Sequence, residues 1–357
     1  MNRIAMRWMP AAELADSAWL REERALGIAS FGVVSMTGSA HLPHAQLRTP
    51  VINGEAACEL WLGRQAARSE VLGATHCRHN GELLFATVSV EPKSAADDAL
   101  GDATYLAYRS LLDALHATGY PHLLRIWNSI PDINIDDAGL ERYRRFNLQR
   151  FRAYEESQRP THTGAPAACA LGSAGGPLVL YCLASKTPAE AIENPRQVSA
   201  YKYPQQYGPR APNFSRAALW RSDKSVLFVS GTASIVGHET LHIGDIAAQA
   251  RETLMNLESV LAEAARVAQQ PLATLSQMLL KAYIRNADDV AVARSEIARH
   301  GLDADRVLYL HADICRAELL MEIEAIGPAQ TITTGTADTP DSASRPNSDS
   351  RALQETG

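Results

Sequence analysis

LLRIWNSIPDIN (residues 123–134) and LLKAYIRNADDV (residues 279–290) decide the fold. Both open on apolar and aromatic residues suited to a pleated strand, and both run out into a polar loop. Their surroundings match as well. Before each stands a strand-like run, GELLFATVSVEP (81–92) or SVLFVSGTASIVG (225–237), followed by a long helical pattern. In DATYLAYRSLLDALHATGY (102–120), Leu106, Leu111, Leu112 and Leu115 recur at roughly helical spacing, and Gly119 closes the pattern. In GDIAAQARETLMNLESVLAEAARVA (244–268), Asp245 offers an N-cap, while Ala247, Ala250, Leu254, Leu257, Leu261 and Ala264 form one stripe. After each comes a second helical segment, GLERYRRFNLQRFRAYEE (139–156) or DDVAVARSEIARHG (288–301). The same order of strand, long helix, strand, loop and helix, met twice, predicts a duplicated α+β unit, each a sheet with helices on one face.

Outward from these blocks, residues 1–50 read as short strands and turns, and VINGEAACELWLG (51–63) as a further strand. QRPTHTGAPAACALGSAGGP (158–177) is rich in Pro, Gly, Ala and Ser and predicts a boundary. The expected domains are therefore 1–157 and 178–327, with PLVLYCLAS (177–185) opening the second. Residues 328–357 are poor in apolar side chains and are expected to form a disordered tail.

At 357 residues, 46% apolar and 21% charged, the chain has the make-up of a globular protein with room for two cores. A net charge of −6 offers no broad attraction for nucleic acid or anionic membrane, although local arginines can still hold a small anion. The five cysteines contain no CxxC pair, and their odd number leaves one unpaired. Arg7, Pro10, Glu13 and Asp16 interrupt the opening residues, unlike a secretory signal, and no run of about 18 apolar residues follows. A cytoplasmic protein with reduced thiols is expected, with neither nucleic acid nor membrane as partner.

Four stretches hold residues with chemical potential. HETLH (238–242) matches the zinc-protease pattern, but that chemistry needs both histidines on one helical face. Here the pentapeptide lies between a strand and a helix start, so a structural loop is the better reading. ENPRQVSAYKYPQQYGPRAPNFSRA (193–217) packs Arg196, Arg210 and Arg216 with Tyr201, Tyr203 and Tyr207 among four prolines. Proline prevents a long regular element there. Arginine forks with tyrosine hydroxyls suit a carboxylate, which favours an anion site over a merely solvated loop. In LERYRRFNLQR (140–150), Tyr143 and Arg150 fall two helical turns apart on nearly one face, with Phe146 and Phe151 toward the core. LYLHADICRAELLMEIEAIG (308–327) reads as two strands joined by a turn that holds Cys315. A strand over 318–325 would place Leu319, Met321, Ile323 and Ala325 on one face and Glu318, Leu320, Glu322 and Glu324 on the other. That second face can be simply wet, and Cys315 simply core. The pattern by itself leaves this open.

Two resemblances reach the same residues. SVLFVSGTASIVG, GDIAAQARETLMNLESVLAEA and LLMEIEAIG, in that order, resemble the RidA-like (YjgF/chorismate-mutase-like) family, whose helix reads D-x-x-x-Q-x-R-x-x-L-x-N-L and whose last strand ends in E-I-E-A-I. This implies two RidA-like units, each a mixed sheet with helices on one face. Members form trimers whose clefts hold small carboxylates, so a monomer or a homotrimer is expected. Over almost the whole chain, HLLRIWNSIPDIN, ERYRRFNLQR, SAYKYPQQYGPRAPNFSRA, SGTASIVGHETLHIGD and ADICRAELLMEIE together resemble the chorismatases. That resemblance implies cleavage of the enolpyruvyl ether of chorismate to pyruvate and 3-hydroxybenzoate, with no metal and no organic cofactor. It implies Glu322 as the acid that protonates the methylene carbon, and Tyr143, Arg150, Tyr201, Arg210 and Arg216 as substrate contacts. Cys315, with a small residue at Ala233, marks the aromatising branch, of which one sub-branch also makes 4-hydroxybenzoate. The alternatives are the hydrolytic branch, which releases a dihydroxycyclohexadienoate, and a RidA-like carboxylate-binding or deaminase protein.

Overall fold

The computed structural model of the chain describes residues 4–328, except 16, 33, 35–39, 94–97, 162–163 and 222–224. Apart from Pro328, the expected tail lies outside the described residues. The chain begins with β1 (Ile4–Pro10), the short helix α1 (Ala11–Ala15), β2 (Ala25–Phe31), β3 (His44–Leu47) and β4 (Ala57–Gly63). They form a sheet of order β1-β4-β2-β3.

The predicted repeat follows. Its first copy contains β5 (Arg68–Leu72), β6 (Thr75–His79), β7 (Leu83–Val90), α2 (Ala99–Thr118), β8 (His122–Pro131), the small hairpin β9 (Asp136–Asp137) and β10 (Leu140–Glu141), α3 (Arg142–Glu156), β11 (Ala167–Ser173) and β12 (Leu178–Ser185). The second contains β13 (Glu190–Ile192), β14 (Ala217–Trp220), β15 (Val226–Thr232), the hairpin β16 (Ile235–Val236) and β17 (Glu239–Thr240), α4 (Ile246–Ala268), β18 (Leu279–Ile284), α5 (Val290–Arg299), β19 (Val307–His311), β20 (Asp313–Ile314) and β21 (Met321–Gly327). The sheets run β5-β6-β7-β12-β8-β11 and β13-β14-β15-β21-β18-β19. In each, the last main strand slots between the third and fourth, and the fourth pairs in parallel with the fifth. β20 adds to the free edge of β11, so a piece of the second copy extends the first sheet.

This topology corrects the expected boundary at 158–177. β11 lies inside that stretch, and β12, expected in the second domain, sits between β7 and β8. The small residues there fill a tight contact rather than a linker: Ala167 and Ala168 are buried. The two strands read in 308–327 exist but do not pair with each other, because β18 lies between them.

Helix stripes follow the expected periods with two exceptions. In α2 the buried row is Ala103, Ala107, Leu111 and Leu115, whereas Leu106 faces solvent; Gly119 ends the helix with a positive φ of 75°. In α4, Ala250, Leu254, Leu257, Leu261 and Ala264 are buried and Ala247 only partly so. Asp245 caps that helix, accepting from the Ala248 amide at 2.9 Å.

α2 and α3 cover one face of the first sheet, and α4 and α5 one face of the second. The opposite faces of both sheets meet a face of the β1–β4 sheet in one shared core that includes Phe31, Trp61, Phe85, Trp127, Tyr181, Phe228 and Tyr283. The strand face carrying Glu322 and Glu324 is therefore buried, with 4% and 1% exposure, which decides the alternative left open above against a wet face. Alternation along a strand identifies two faces without saying what covers the polar one.

Candidate active site

Where the β11 edge of the first copy meets β15 and β21 of the second, the chain leaves a cleft of about 660 Å³. Polar side chains fix its rims. Asn256 of α4 donates to the Ala233 and Ile235 carbonyls at 3.0 and 2.9 Å. Gln249, two turns earlier, donates to the Glu318 carbonyl at 2.9 Å and accepts from the Leu320 amide at 2.8 Å. Arg285 closes the same turn from the other side, donating to the carbonyls of Leu319, Ile314 and Arg316 at 2.8, 3.1 and 3.0 Å. Gln249 and Asn256 of the α4 pattern thus each hold one rim.

Glu322 projects into the cleft from β21, and its Oε1 is buried without a hydrogen-bond partner. Burial first, and the charge of Glu324 second, push its carboxyl up to about 8, against the pull of Arg125 and Arg216. A carboxyl so placed carries its proton at neutral pH. Room for it comes from a bulge in β15, where pairing with β21 shifts between Val229 and Thr232. A Cβ at Gly231, inside that bulge, would overlap the Glu322 carboxyl and crowd Cys169. Gly231→Ala is accordingly expected to lower kcat/KM by at least about tenfold with little loss of thermal stability; unaltered kinetics would show that the acid has other room.

Cys315 also lines the cleft, in the turn between β20 and β21. Desolvation, followed by the proximity of Glu322, pushes its thiol up to about 12, so it is a protonated thiol and not a nucleophilic thiolate. Ala233 lines the wall and is 4% exposed. Tyr143 and Arg150, on one face of α3 as their spacing predicts, are both buried against the same space, and burial raises the Tyr143 phenol.

Three guanidiniums converge there. Arg150 donates to Asn147 Oδ1 at 2.7 Å. Arg216 donates to the Val198 carbonyl and the Tyr203 hydroxyl at 2.9 and 2.8 Å, leaving Nε buried and unpartnered. Arg316 donates to the His238 carbonyl and Thr240 Oγ1 at 2.9 and 3.2 Å, leaving Nη2 buried and unpartnered. Its guanidinium lies 4.0 Å from the Tyr207 ring centroid and 5.2 Å from that of Tyr203. Each of the three is at most 9% exposed, and none forms an ion pair with a carboxylate among the described residues.

The structure brings Glu322, Cys315, Tyr143, Arg150, Arg216 and Ala233 to one cleft, but not Tyr201 or Arg210. Tyr203 and Tyr207 form the wall instead, and the exposed Arg210 stacks on Phe151 at 4.2 Å. A loop without a regular period gives no means of telling which of its tyrosines face inward. Arg316 was missed because its only signal was adjacency to Cys315. The HETLH histidines take separate partners: His238 Nδ1 meets the Tyr207 hydroxyl at 3.2 Å, and His242 lies 3.6 Å from Glu252. Among the described residues no group of three or more His, Cys, Asp or Glu side chains is placed to hold a metal.

Known proteins resemble this chain over most of its length. A family model described as chorismatase FkbO/Hyg5-like, N-terminal, matches residues 59–184, and so ends with β12. A 3-hydroxybenzoate synthase from Streptomyces hygroscopicus is 38% identical over 298 residues, covering 80% of this chain and 85% of that protein. A chorismatase from Streptomyces rapamycinicus is 35% identical, covering 80% and 86%. A crystal structure of a chorismatase superposes with a TM-score of 0.79 at 30% identity, over 90% of this chain and 98% of that one.

Proposed function

Because this chain belongs to the chorismatase family, we propose that it converts chorismate to 3-hydroxybenzoate and pyruvate in this cleft, with Glu322 as the general acid. The observation that carries the reading is the charge make-up of the site. Three buried guanidiniums, none in an ion pair with a carboxylate among the described residues, stand around a carboxyl held in its protonated form. A substrate with two carboxylates supplies the missing negative charge, and its enol ether supplies the atom that needs a proton.

The reaction starts when Glu322 gives its proton to the methylene carbon of the enolpyruvyl group, leaving an oxocarbenium ion. The neighbouring ring hydroxyl oxygen attacks the ring carbon that bears the ether. The carbon–oxygen bond to the side chain breaks, its electrons stay with the ether oxygen, and pyruvate leaves as the ketone. The hydroxyl proton returns to Glu322, and the ring holds an epoxide. Opening of one epoxide bond, with proton donation from the Cys315 thiol, leaves the oxygen on one carbon. That carbon then loses its hydrogen as a proton, which the thiolate recovers, and the ring becomes aromatic. Which epoxide bond breaks decides between 3- and 4-hydroxybenzoate. No solvent oxygen enters, in contrast to the hydrolytic branch.

Purified protein incubated with chorismate is expected to release pyruvate and 3-hydroxybenzoate in equal amounts, and in ¹⁸O-water the aromatic product is expected to carry no label. Absence of pyruvate would sink the assignment of substrate. Cys315→Ala is expected to cut the 3-hydroxybenzoate share of product several-fold; an unchanged product ratio would reduce Cys315 to a packing residue.

A further inference from the structure

The core behind the cleft contains four charged side chains that the chemistry above does not use. Lys281 of β18 contacts Glu324 of β21 at 2.6 Å and Glu59 of β4 at 2.7 Å. Arg125 of β8 pairs with the same Glu324, which also accepts from Trp127 Nε1 at 3.0 Å. All three sheets contribute, and each of the four side chains is at most 1% exposed. Burying such a cluster is costly, and apolar residues of like volume often serve stability as well or better.

Its placement is not accidental to the repeat. Arg125 and Lys281 follow Leu-Leu in the two matching segments, so the duplication aims two cations at one point. Across from Lys281 in register stands Glu324, and across from Arg125 stands Leu183. Across from Tyr283 stands Glu322, and across from Trp127 stands Tyr181. Only the second copy therefore has an anion at the clamped position, and only that copy has a carboxyl two residues earlier in the cleft.

We propose that this cluster is a positioning device for the reaction: Lys281 and Arg125 clamp the Glu324 carboxylate on the strand face that also carries Glu322, where its fixed charge adds to burial in favouring the acid form of Glu322. The proposal rests on the reading of Glu322 as the acid. Around Glu322 stand Glu324 on its own strand, Tyr283 on β18, Arg125 on β8, Cys169 on β11, Arg216 on the loop and Cys315 in the turn, with Tyr143 of α3 beyond Cys315. Of these, Arg125 and Arg216 favour ionisation, and Glu324 is the anion that opposes them. Burial alone pushes Glu324 up, but Lys281 and Arg125 outweigh it and hold this carboxylate at about 2. Glu59, raised by burial and by Glu324, serves as the second contact of Lys281.

Two double variants separate this role from a structural one. Lys281→Met with Glu324→Gln leaves Arg125 without its carboxylate partner; Lys281→Met with Glu59→Gln leaves Arg125 paired with Glu324. Each removes one cation and one carboxylate. The pH profile of kcat/KM is expected to keep its alkaline limb near pH 8 in the second and to lose it by more than one pH unit in the first. At pH 8 the first would then be at least about fivefold slower than the second, with comparable rates near pH 5. Coincident limbs would overturn the proposal. Glu324→Asp, which preserves the charge, is expected to keep the limb. If neither double variant folds, ¹³C-carboxyl NMR of the glutamate-labelled natural protein decides: a signal titrating near pH 8 and absent from Glu322→Gln, beside a Glu324 signal that stays ionised across the same range, supports the proposal, and a Glu324 that titrates together with Glu322, or a Glu322 that titrates in the ordinary carboxyl range, overturns it. Activity surviving in Glu322→Gln would instead refute the acid assignment itself.

Discussion

Glu322→Gln is expected to lower chorismate turnover by about 10³-fold or more while leaving inhibitor or substrate affinity within a few-fold. The amide keeps the shape and fills the space beside Gly231, but it has no acidic proton for the methylene carbon. Its unpartnered position also predicts an effect on stability, with a sign opposite to the effect on rate. The folded chain holds the Glu322 proton up to about pH 8, whereas the unfolded chain releases it near the ordinary glutamate value of 4.5. Between those values the folded state binds more protons than the unfolded state, so stability falls as pH rises through this window. The slope is about 1.4 kcal/mol per pH unit for one group. Glutamine lacks this slope. Thermal melts are therefore expected to show wild type losing ground to Glu322→Gln between pH 5 and pH 8, with the variant the more stable at pH 8 and above. Parallel melting curves across that range would mean that Glu322 ionises normally in the folded chain.

Arg316→Met is expected to raise KM for chorismate by about 100-fold, with a smaller loss in kcat, because a buried charge-assisted contact to a carboxylate is lost. Arg316 spends Nη1 on the His238 carbonyl and Thr240 Oγ1 and keeps Nη2 for the cleft. Tyr207 beneath its plane fixes the direction of that free edge. Lysine cannot span both tasks, since its single ammonium has no fork, and Arg316→Lys should recover little of the affinity. Steady-state kinetics over a wide chorismate range, with far-UV circular dichroism to confirm folding, is the measurement. A KM unchanged in Arg316→Met would confine this residue to holding the 238–240 hairpin.

The two repeats were legible because their strands alternate and their helices carry continuous apolar stripes, as in Ala250 through Ala264. β11 was hidden because AACALGS has the composition of a linker, and its alanines acquire meaning only against β15. In the β1–β4 sheet, β2 is buried on both faces and so shows no alternation for a reader to follow. The surroundings of Glu322 and Glu324 stayed open because a period of two cannot distinguish solvent from a core lined with Arg125 and Lys281. At the site, Tyr143 and Arg150 could be paired from helical spacing alone. Arg316, Tyr203 and Gly231 could not, since a turn, an irregular loop and a bulge each set direction through partners distant in the chain.

β20 hands two residues of the second copy to the edge of the first sheet, immediately before Cys315. The acid and the thiol thus hang from different sheets although only seven positions separate them, and the space between them is a seam rather than a pocket within either half. Neither repeat by itself contains the reaction chamber. A chain cut between Ser185 and Glu190 should give two inert fragments whose mixing restores turnover only as fast as the seam re-forms.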